Sequence, residues 1–337
     1  MNIAIVGAGA IGGYLGVKLA LAGVDVTLVA RGANLAAIRD KGMTLLLADG
    51  EQLHVPAGHP HLRAASVEEA GKHDVVILTM KSHQVEAVAE GIDALCHDQT
   101  SIVTMQNGLP WWYFYHTGGQ FDGAQLQSLD PRGSIWRALR PERVIGSVVY
   151  PAAELIAPGV VQHIEGNRFS LGEPSGEKSE RVLALAKLMI GAGFKTPVST
   201  DIRNEIWVKL WGNLVFNPVS ALTHATLEDI GHDPLTHALA LRMMAEAQTI
   251  GEKIGVHFKV SSEQRIAGAT AVGAHKTSML QDVEQGRQLE LEALVASVLE
   301  LGRMTATPTP TIDTVYALIR LLSRSLERSG GRLKLHT

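Results

Sequence analysis

The thirty residues from Asn2 to Arg31 constrain this chain more than any other stretch. Ile3, Ala4, Ile5 and Val6 form an unbroken apolar run, which suits a strand covered on both faces. Gly7, Gly9 and Gly12 follow in G-x-G-x-x-G spacing. Ile11, Leu15, Leu19 and Ala22 then recur at helical intervals, Gly23 stops the helix, and Val26 to Val29 supply a second strand. In this strand, turn, helix, strand order each glycine has its own task. Gly7 allows the tight turn, Gly9 lets backbone approach a pyrophosphate, and Gly12 lets the helix lie close on the strand, while the helix N-terminus attracts the anion. The run Gly7, Ala8, Gly9, Ala10, Ile11 and Gly12 is therefore expected to hold a dinucleotide.

The end of the second strand chooses between the two nicotinamide cofactors. A site for NAD carries Asp or Glu there, about 20 residues past the glycines, to hold the ribose hydroxyls. Here the residues are Ala30 and Arg31. A guanidinium is always charged and forks onto a phosphate, so the expected cofactor is NADPH/NADP. The alternative is an exposed arginine that merely opens a helix.

Farther along, a helix of about 34–41 is expected, then a strand pair, Met43 to Leu47 and Gln52 to Val55, joined through Asp49-Gly50, a strong hairpin signal. Asp74 to Met80 reads as a buried strand ending at Lys81, a helix is expected over Ser82 to Leu95, and Ser101 to Met105 reads as a strand ending at Gln106-Asn107-Gly108. In an open parallel sheet, ligands sit beyond the carboxyl ends of the strands. The glycine turn, Arg31, Lys81 and Asn107 all fall at such ends.

Residues 110–141 open with Trp111, Trp112, Tyr113, Phe114 and Tyr115 in a row. The segment is either a flap over the nicotinamide or an aromatic anchor that packs an insertion or a subunit contact. Strands are expected again at Arg143 to Tyr150, with Val160 to Ile164 and Phe169 to Leu171 as a β-meander, a helix at Arg181 to Ile190 and a last strand at Lys195 to Ser199. Beyond Asp201, a plausible helix cap, the pattern is helical, with stripes at Leu239 to Ile254, Glu290 to Leu301 and Ile312 to Leu322.

The helical half holds the second chemical signal. Lys209, Asn213 and Asn217 are each four apart, so on a helix they line one face, with Trp211, Leu214 and Val215 turned to the core. One cation and two amides suit a small, oxygen-rich anion; a solvated polar stripe is the competing reading. Pro218 is expected to kink or stop the helix at Asn217.

A formal net charge of −4 and a pI near 6.4 provide no basic field for nucleic acid. The single cysteine, Cys96, excludes an internal disulfide framework. His59-Pro60-His61 is the densest histidine pair, without the spacing of a metal site, so no metal is expected. No apolar run is long enough for a membrane span and no basic segment precedes the first strand, so a cytoplasmic location is expected.

Five separated motifs, in order, make the chain resemble a known family. GAGAIG, Lys81 after a strand, Q-N-G at 106–108, K-x-x-x-N-x-x-x-N-P at 209–218, and K-T-S-M-L-Q-D at 276–282 followed by Gly286-Arg287 and Glu290 look like the ketopantoate reductases (2-dehydropantoate 2-reductases) over residues 1–325. The resemblance implies an α/β chain: a Rossmann-type doubly wound sheet over 1–199, with the aromatic insertion at about 110–141, followed by an all-helical catalytic domain over 200–327 and a tail at 328–337. It implies an active site in the cleft between the domains, where NADPH reduces a small 2-oxo acid, ketopantoate, to pantoate for the pantothenate pathway. By that analogy Lys209 is the general acid, and Asn213, Asn217 and Ser278 hold substrate oxygens. Glu290 sits by the nicotinamide ribose and the substrate and keeps Lys209 protonated. Lys81, Asn107 and Ala152 touch the cofactor, with Asn107 also reaching the substrate.

This sequence departs from the family where the aromatic insertion replaces a short polar helix, and where Leu289-Glu290-Leu291-Glu292 replaces T-E-I-D, which makes Glu292 a rival carboxylate. Two alternatives stay open: a reductase of another small 2-oxo acid, and an NADPH-binding sensor without turnover. The chain is expected to act as a monomer or homodimer, with neither nucleic acid nor membrane as a partner.

Overall fold

A computed structural model describes residues 1–331. Its chain divides into two units, the first made of Met1–Gln125 with Asp130–Arg203 and the second of Leu126–Leu129 with the chain from Asn204 onward.

The first unit is built on a seven-stranded sheet. In chain order its elements begin with β1 (Asn2–Val6), α1 (Ala10–Leu21), β2 (Asp25–Val29) and α2 (Gly32–Lys41). They continue with β3 (Met43–Leu46), β4 (Gln52–Val55), β5 (Leu62–Ala65), β6 (His73–Leu78), α3 (Ala89–Ala94) and β7 (Cys96–Thr104). After these come α4 (Ser134–Leu139), β8 (Val144–Val149), β9 (Ala152–Ala157), β10 (Val160–Glu165), β11 (Phe169–Gly172) and α5 (Glu180–Gly191). The large sheet runs β11-β8-β7-β6-β1-β2-β5. Its strands are parallel except for β11, which is antiparallel to β8. The chain builds outward from β1 through β2 to β5 and then returns to place β6 on the other side of β1. The crevice at the carboxyl ends of β1 and β6 is therefore the switch point where such sheets bind ligands.

Both faces of β1 are covered, so Ile3, Ala4 and Ile5 are fully buried, as an unalternating apolar run requires. A second sheet, β4-β3-β10-β9, packs on α1. Tyr14 of α1 stacks on His163 of β10 at 4.6 Å between ring centroids.

Several sequence expectations need correction here. Val160 to Ile164 and Phe169 to Leu171 do not form one meander. The first is β10, paired with β9 and β3, whereas the second is β11 at the edge of the large sheet. Strand β9 leaves no periodic signal in the sequence, because Ala152 and Ala153 carry too little side chain to mark a strand. The expected helix over Ser82 to Leu95 is instead two 3₁₀ turns, Ser82–Gln84 and Glu86–Val88, and the short α3. β-Branched Val85 and Val88, with Gly91, weaken a continuous helix. Lys195 to Ser199 joins the sheet only through isolated bridges, Arg168 to Lys195 and Leu171 to Val198.

The aromatic row is core material. Trp111, Trp112, Tyr113 and Phe114 are buried, and the Trp112 indole N–H donates to Thr104 Oγ1 on β7 at 2.9 Å. Arg203 fastens the row from outside by donating to the carbonyl oxygens of Tyr113 and Tyr115. These contacts are those of an anchor. Past it, Leu126–Leu129 belongs to the helical unit, where the Glu300 carboxylate accepts the backbone N–H groups of Gln127 at 2.7 Å and Ser128 at 2.8 Å.

The second unit contains α6 (Ile202–Thr223, its first two residues preceding the division), α7 (Leu227–His232), α8 (Pro234–Lys253), α9 (Ser262–Thr270) and α10 (Ser278–Glu284). A π-helical turn (Glu292–Ala296) then leads into α11 (Ser297–Met304), and α12 is Pro310–Arg328. Pro218 does not stop α6, which continues through it to Thr223. Pro218 and its neighbours Asn217, Val219 and Ser220 are all buried, and tertiary packing outweighs the roughly 3 kcal/mol that an interior proline costs a helix. Of the expected tail at 328–337, residues 332–337 lie outside the described residues. Among those described, no helix is long and apolar enough to cross a membrane.

Candidate active site

The glycine turn shows why three glycines stand where they do. Gly7 has φ +105°, and a Cβ there would lie 2.9 Å from the Met80 backbone nitrogen. A Cβ on Gly12 would lie 2.0 Å from the Gly7 carbonyl oxygen, so α1 can approach β1 only without one. Gly9 differs: among the described residues, nothing beyond its own chain neighbours and helix lies within 4 Å of where its Cβ would be. It is also the cap residue of α1 and carries no side chain to satisfy the amides of the first turn. Open space beside helix N-terminal amides that no side chain caps fits a pyrophosphate. Ala8 is buried behind the turn, and Ala10 and Ile11 form the start of α1 with partial exposure.

Two residues that no motif marks hold this turn. Thr79 Oγ1 donates to the Gly7 carbonyl at 2.6 Å, and the Asn34 amide donates to the Ala8 carbonyl at 2.6 Å while its oxygen accepts the Gly159 N–H at 2.8 Å. Both lie far from the turn in sequence, where spacing rules cannot reach. Gly12→Ala should lower unfolding stability by about 1–3 kcal/mol, the usual cost of overpacking, and weaken NADPH as the turn is displaced. Urea denaturation and an NADPH titration measure the two effects; an unchanged unfolding midpoint would show that backbone shifts absorb the clash.

Arg31, Lys81 and Asn107 each lie past the carboxyl end of a strand of the large sheet, β2, β6 and β7 in turn. Arg31 is exposed at the head of α2, immediately past β2. Lys81 opens the first 3₁₀ turn after β6. The Gln106 amide donates to the Leu78 carbonyl at 2.9 Å and to that of Met80 at 3.3 Å, tying the end of β7 to that of β6 and setting half-buried Asn107 beside them. Ala152 begins β9 and is half-buried.

In the helical unit, Lys209, Asn213 and Asn217 share one face of α6. Trp207, Trp211, Leu214 and Val215 are buried, and the Trp211 indole donates to the Met244 carbonyl of α8 at 2.9 Å. Asn217 is only 4% exposed, and its amide nitrogen has no hydrogen-bond partner among the described residues. A buried donor left without a partner costs free energy unless a ligand satisfies it. Burial pushes Lys209 down to about 8, against the upward pull of the Glu290 carboxylate and with a further downward push from the Arg265 guanidinium. A lysine so placed can give up its proton near neutral pH.

The two candidate carboxylates separate. Glu290 acts on Lys209, whereas the charged neighbours of Glu292 are Arg320 and Glu327 on α12. Glu290 directly precedes the helical segment that widens into the π turn, a distortion often found beside functional sites. Ser278 is exposed at the start of α10, after the cap Thr277, whose Oγ1 accepts the Leu280 N–H. Part of the K-T-S-M-L-Q-D motif is scaffold: buried Asp282 takes the Arg287 guanidinium at 2.8 Å and so shapes the turn that leads to Glu290. Among the described residues, no group of three or more His, Cys, Asp or Glu could hold a metal ion.

Comparison with known proteins extends these observations to the whole chain. The family description "Ketopantoate reductase PanE/ApbA" matches residues 3–176, and its C-terminal counterpart matches residues 201–323. A 2-dehydropantoate 2-reductase of Mesorhizobium japonicum is 56% identical over 324 residues, covering 96% of this chain and 98% of its own. A solved structure from Ralstonia solanacearum MolK2 has a TM-score of 0.91 and 43% identity, covering 96% of this chain and 98% of its own. The D-mandelate dehydrogenase solved with NADH and anilino(oxo)acetate shares the fold alone, at 21% identity and TM-score 0.81 over 97% of this chain and all of its own. With two consecutive family matches covering nearly all of its length, this chain belongs to the ketopantoate reductase family.

Proposed function

We propose that this protein reduces 2-dehydropantoate to pantoate with NADPH, and that Lys209 supplies the proton. The observation that carries the reading is the α6 face, where a half-buried lysine whose affinity for its proton is lowered to about 8 lies in line with Asn213 and with the Asn217 amide that has no partner among the described residues. The 56% identical 2-dehydropantoate 2-reductase supports the choice of substrate.

In this reading the amides around Gly9 hold the pyrophosphate, Arg31 takes the 2′-phosphate, and Lys81, Asn107 and Ala152 line the rest of the cofactor. NADPH, when bound, supplies the hydride that adds to the C2 ketone. As the carbonyl π bond breaks, negative charge gathers on its oxygen. The Lys209 ammonium stabilises that charge and then donates its proton, so that ketone, hydride and proton sum to the alcohol. Glu290 keeps Lys209 charged until then, and solvent restores its proton afterwards. Asn213, Asn217, Ser278 and Asn107 orient the hydroxyl and carboxylate oxygens of the substrate.

NADPH oxidation with a panel of 2-oxo acids tests the proposal. Ketopantoate is expected to give the highest kcat/KM. Faster turnover of a bulkier acid would move the assignment to another 2-oxo acid, and NADPH binding with no turnover would make the protein a sensor.

A further inference from the structure

Arg265 lies in α9, half-buried and outside every motif in the sequence. Its guanidinium rests against α6 at Gly212. A Cβ built on Gly212 would fall 2.4 Å from one terminal guanidinium nitrogen, 2.9 Å from Cζ and 3.2 Å from Nε. Glycine at 212 is thus what lets the guanidinium lie where it does. Gly212 stands three residues after Lys209 and next to Asn213, so this seat adjoins the face already described, within about one helical turn, roughly 5.4 Å, of Lys209. The Arg265 charge opposes the ammonium form of Lys209 while the Glu290 carboxylate supports it, and an anion arriving at Arg265 would offset that opposition.

We propose that Arg265 is a substrate-recognising residue, whose guanidinium, seated on Gly212, receives the carboxylate of the 2-oxo acid while Lys209 meets the adjoining keto oxygen. The proposal rests on the reading of the protein as a 2-oxo acid reductase and adds to it the group that selects the acid. The chemistry of the substrate fits, because its carboxylate and ketone are on neighbouring carbons. A planar guanidinium takes both carboxylate oxygens at once, which a lysine cannot do. There is also a consequence for the acid. The groups whose charge acts on Lys209 are Glu290, which favours its protonated form, and Arg265, which opposes it. A carboxylate on Arg265 cancels the opposing charge, so substrate arrival itself holds Lys209 protonated for the step that follows.

The test compares the wild type with Arg265→Gln and Arg265→Lys on a 2-oxo acid and on its methyl ester, using an acid without a 4-hydroxyl so that the ester cannot cyclise. For Arg265→Gln, KM for the acid should rise roughly 10- to 100-fold, the scale of a lost charge-assisted pair, while KM for the ester and the Kd for NADPH stay near wild type. Arg265→Lys should restore part of the preference for acid over ester. An unchanged acid-to-ester ratio in a folded Gln variant overturns the proposal, because a merely structural role would weaken both substrates together. Should the Gln variant fail to fold, the same ratio in the Lys variant decides. A wild type that turns over no 2-oxo acid defeats the underlying reading, and that result is separate because it is read without any variant.

Discussion

Lys209→Ala should turn over substrate roughly 10²- to 10⁴-fold more slowly than the wild type, the usual contribution of a positioned general acid, while NADPH binds as before. The expectation follows from burial. An ordinary lysine titrates near 10.4 and would hold its proton too firmly at neutral pH, whereas Lys209 is pushed down to about 8. The sign of the pH dependence is fixed by the role. The acid works when protonated, so kcat/KM should fall as pH rises through about 8. Glu290→Gln removes a charge that favours the ammonium, so it should move that falling limb to lower pH. Steady-state kinetics from about pH 6 to 10 span this range and the unperturbed lysine value beyond it. Near-normal turnover by Lys209→Ala, or a Glu290→Gln limb that moves upward, would remove these residues from the proton path.

Arg31→Ala should weaken NADPH by about 1.5–3 kcal/mol, the range for hydrogen bonds to a charged group, and leave NADH nearly unchanged. The selectivity is expected because the two cofactors differ only at the ribose 2′ position, which lies by the end of the second strand in this class of fold. Arg31 is exposed at the head of α2, so solvent screens it. The loss should therefore be largest at low salt and shrink as ionic strength rises. Titrating each cofactor into wild type and variant at two salt concentrations gives the answer. Equal losses for NADPH and NADH would show that Arg31 does not read the phosphate.

What could be seen in the sequence depended on local spacing. The glycine turn and the α6 stripe each declare themselves within a few residues, because backbone geometry ties neighbours at fixed intervals to one turn or one face. Lys81 and Asn107 were visible for a related reason, since a buried strand ends abruptly and the residue after it is placed by the sheet. Strand β9 and the broken segment over residues 82–94 were not visible, because alanine-rich pairing and 3₁₀ turns leave no periodic trace.

The sequence by itself determined the order of strand, turn and helix, the glycine turn at Gly7 to Gly12, the basic residue after β2, and the polar face of α6, each through local geometry and side-chain chemistry. Only the tertiary structure decided that α6 continues through Pro218, that Glu290 rather than Glu292 acts on Lys209, that Thr79 and Asn34 hold the turn, and that Arg265 rests on Gly212. Each of those depends on residues brought together by packing from distant parts of the chain, and packing likewise lowers the affinity of Lys209 for its proton, chiefly by burial, and leaves the buried Asn217 amide nitrogen without a partner among the described residues.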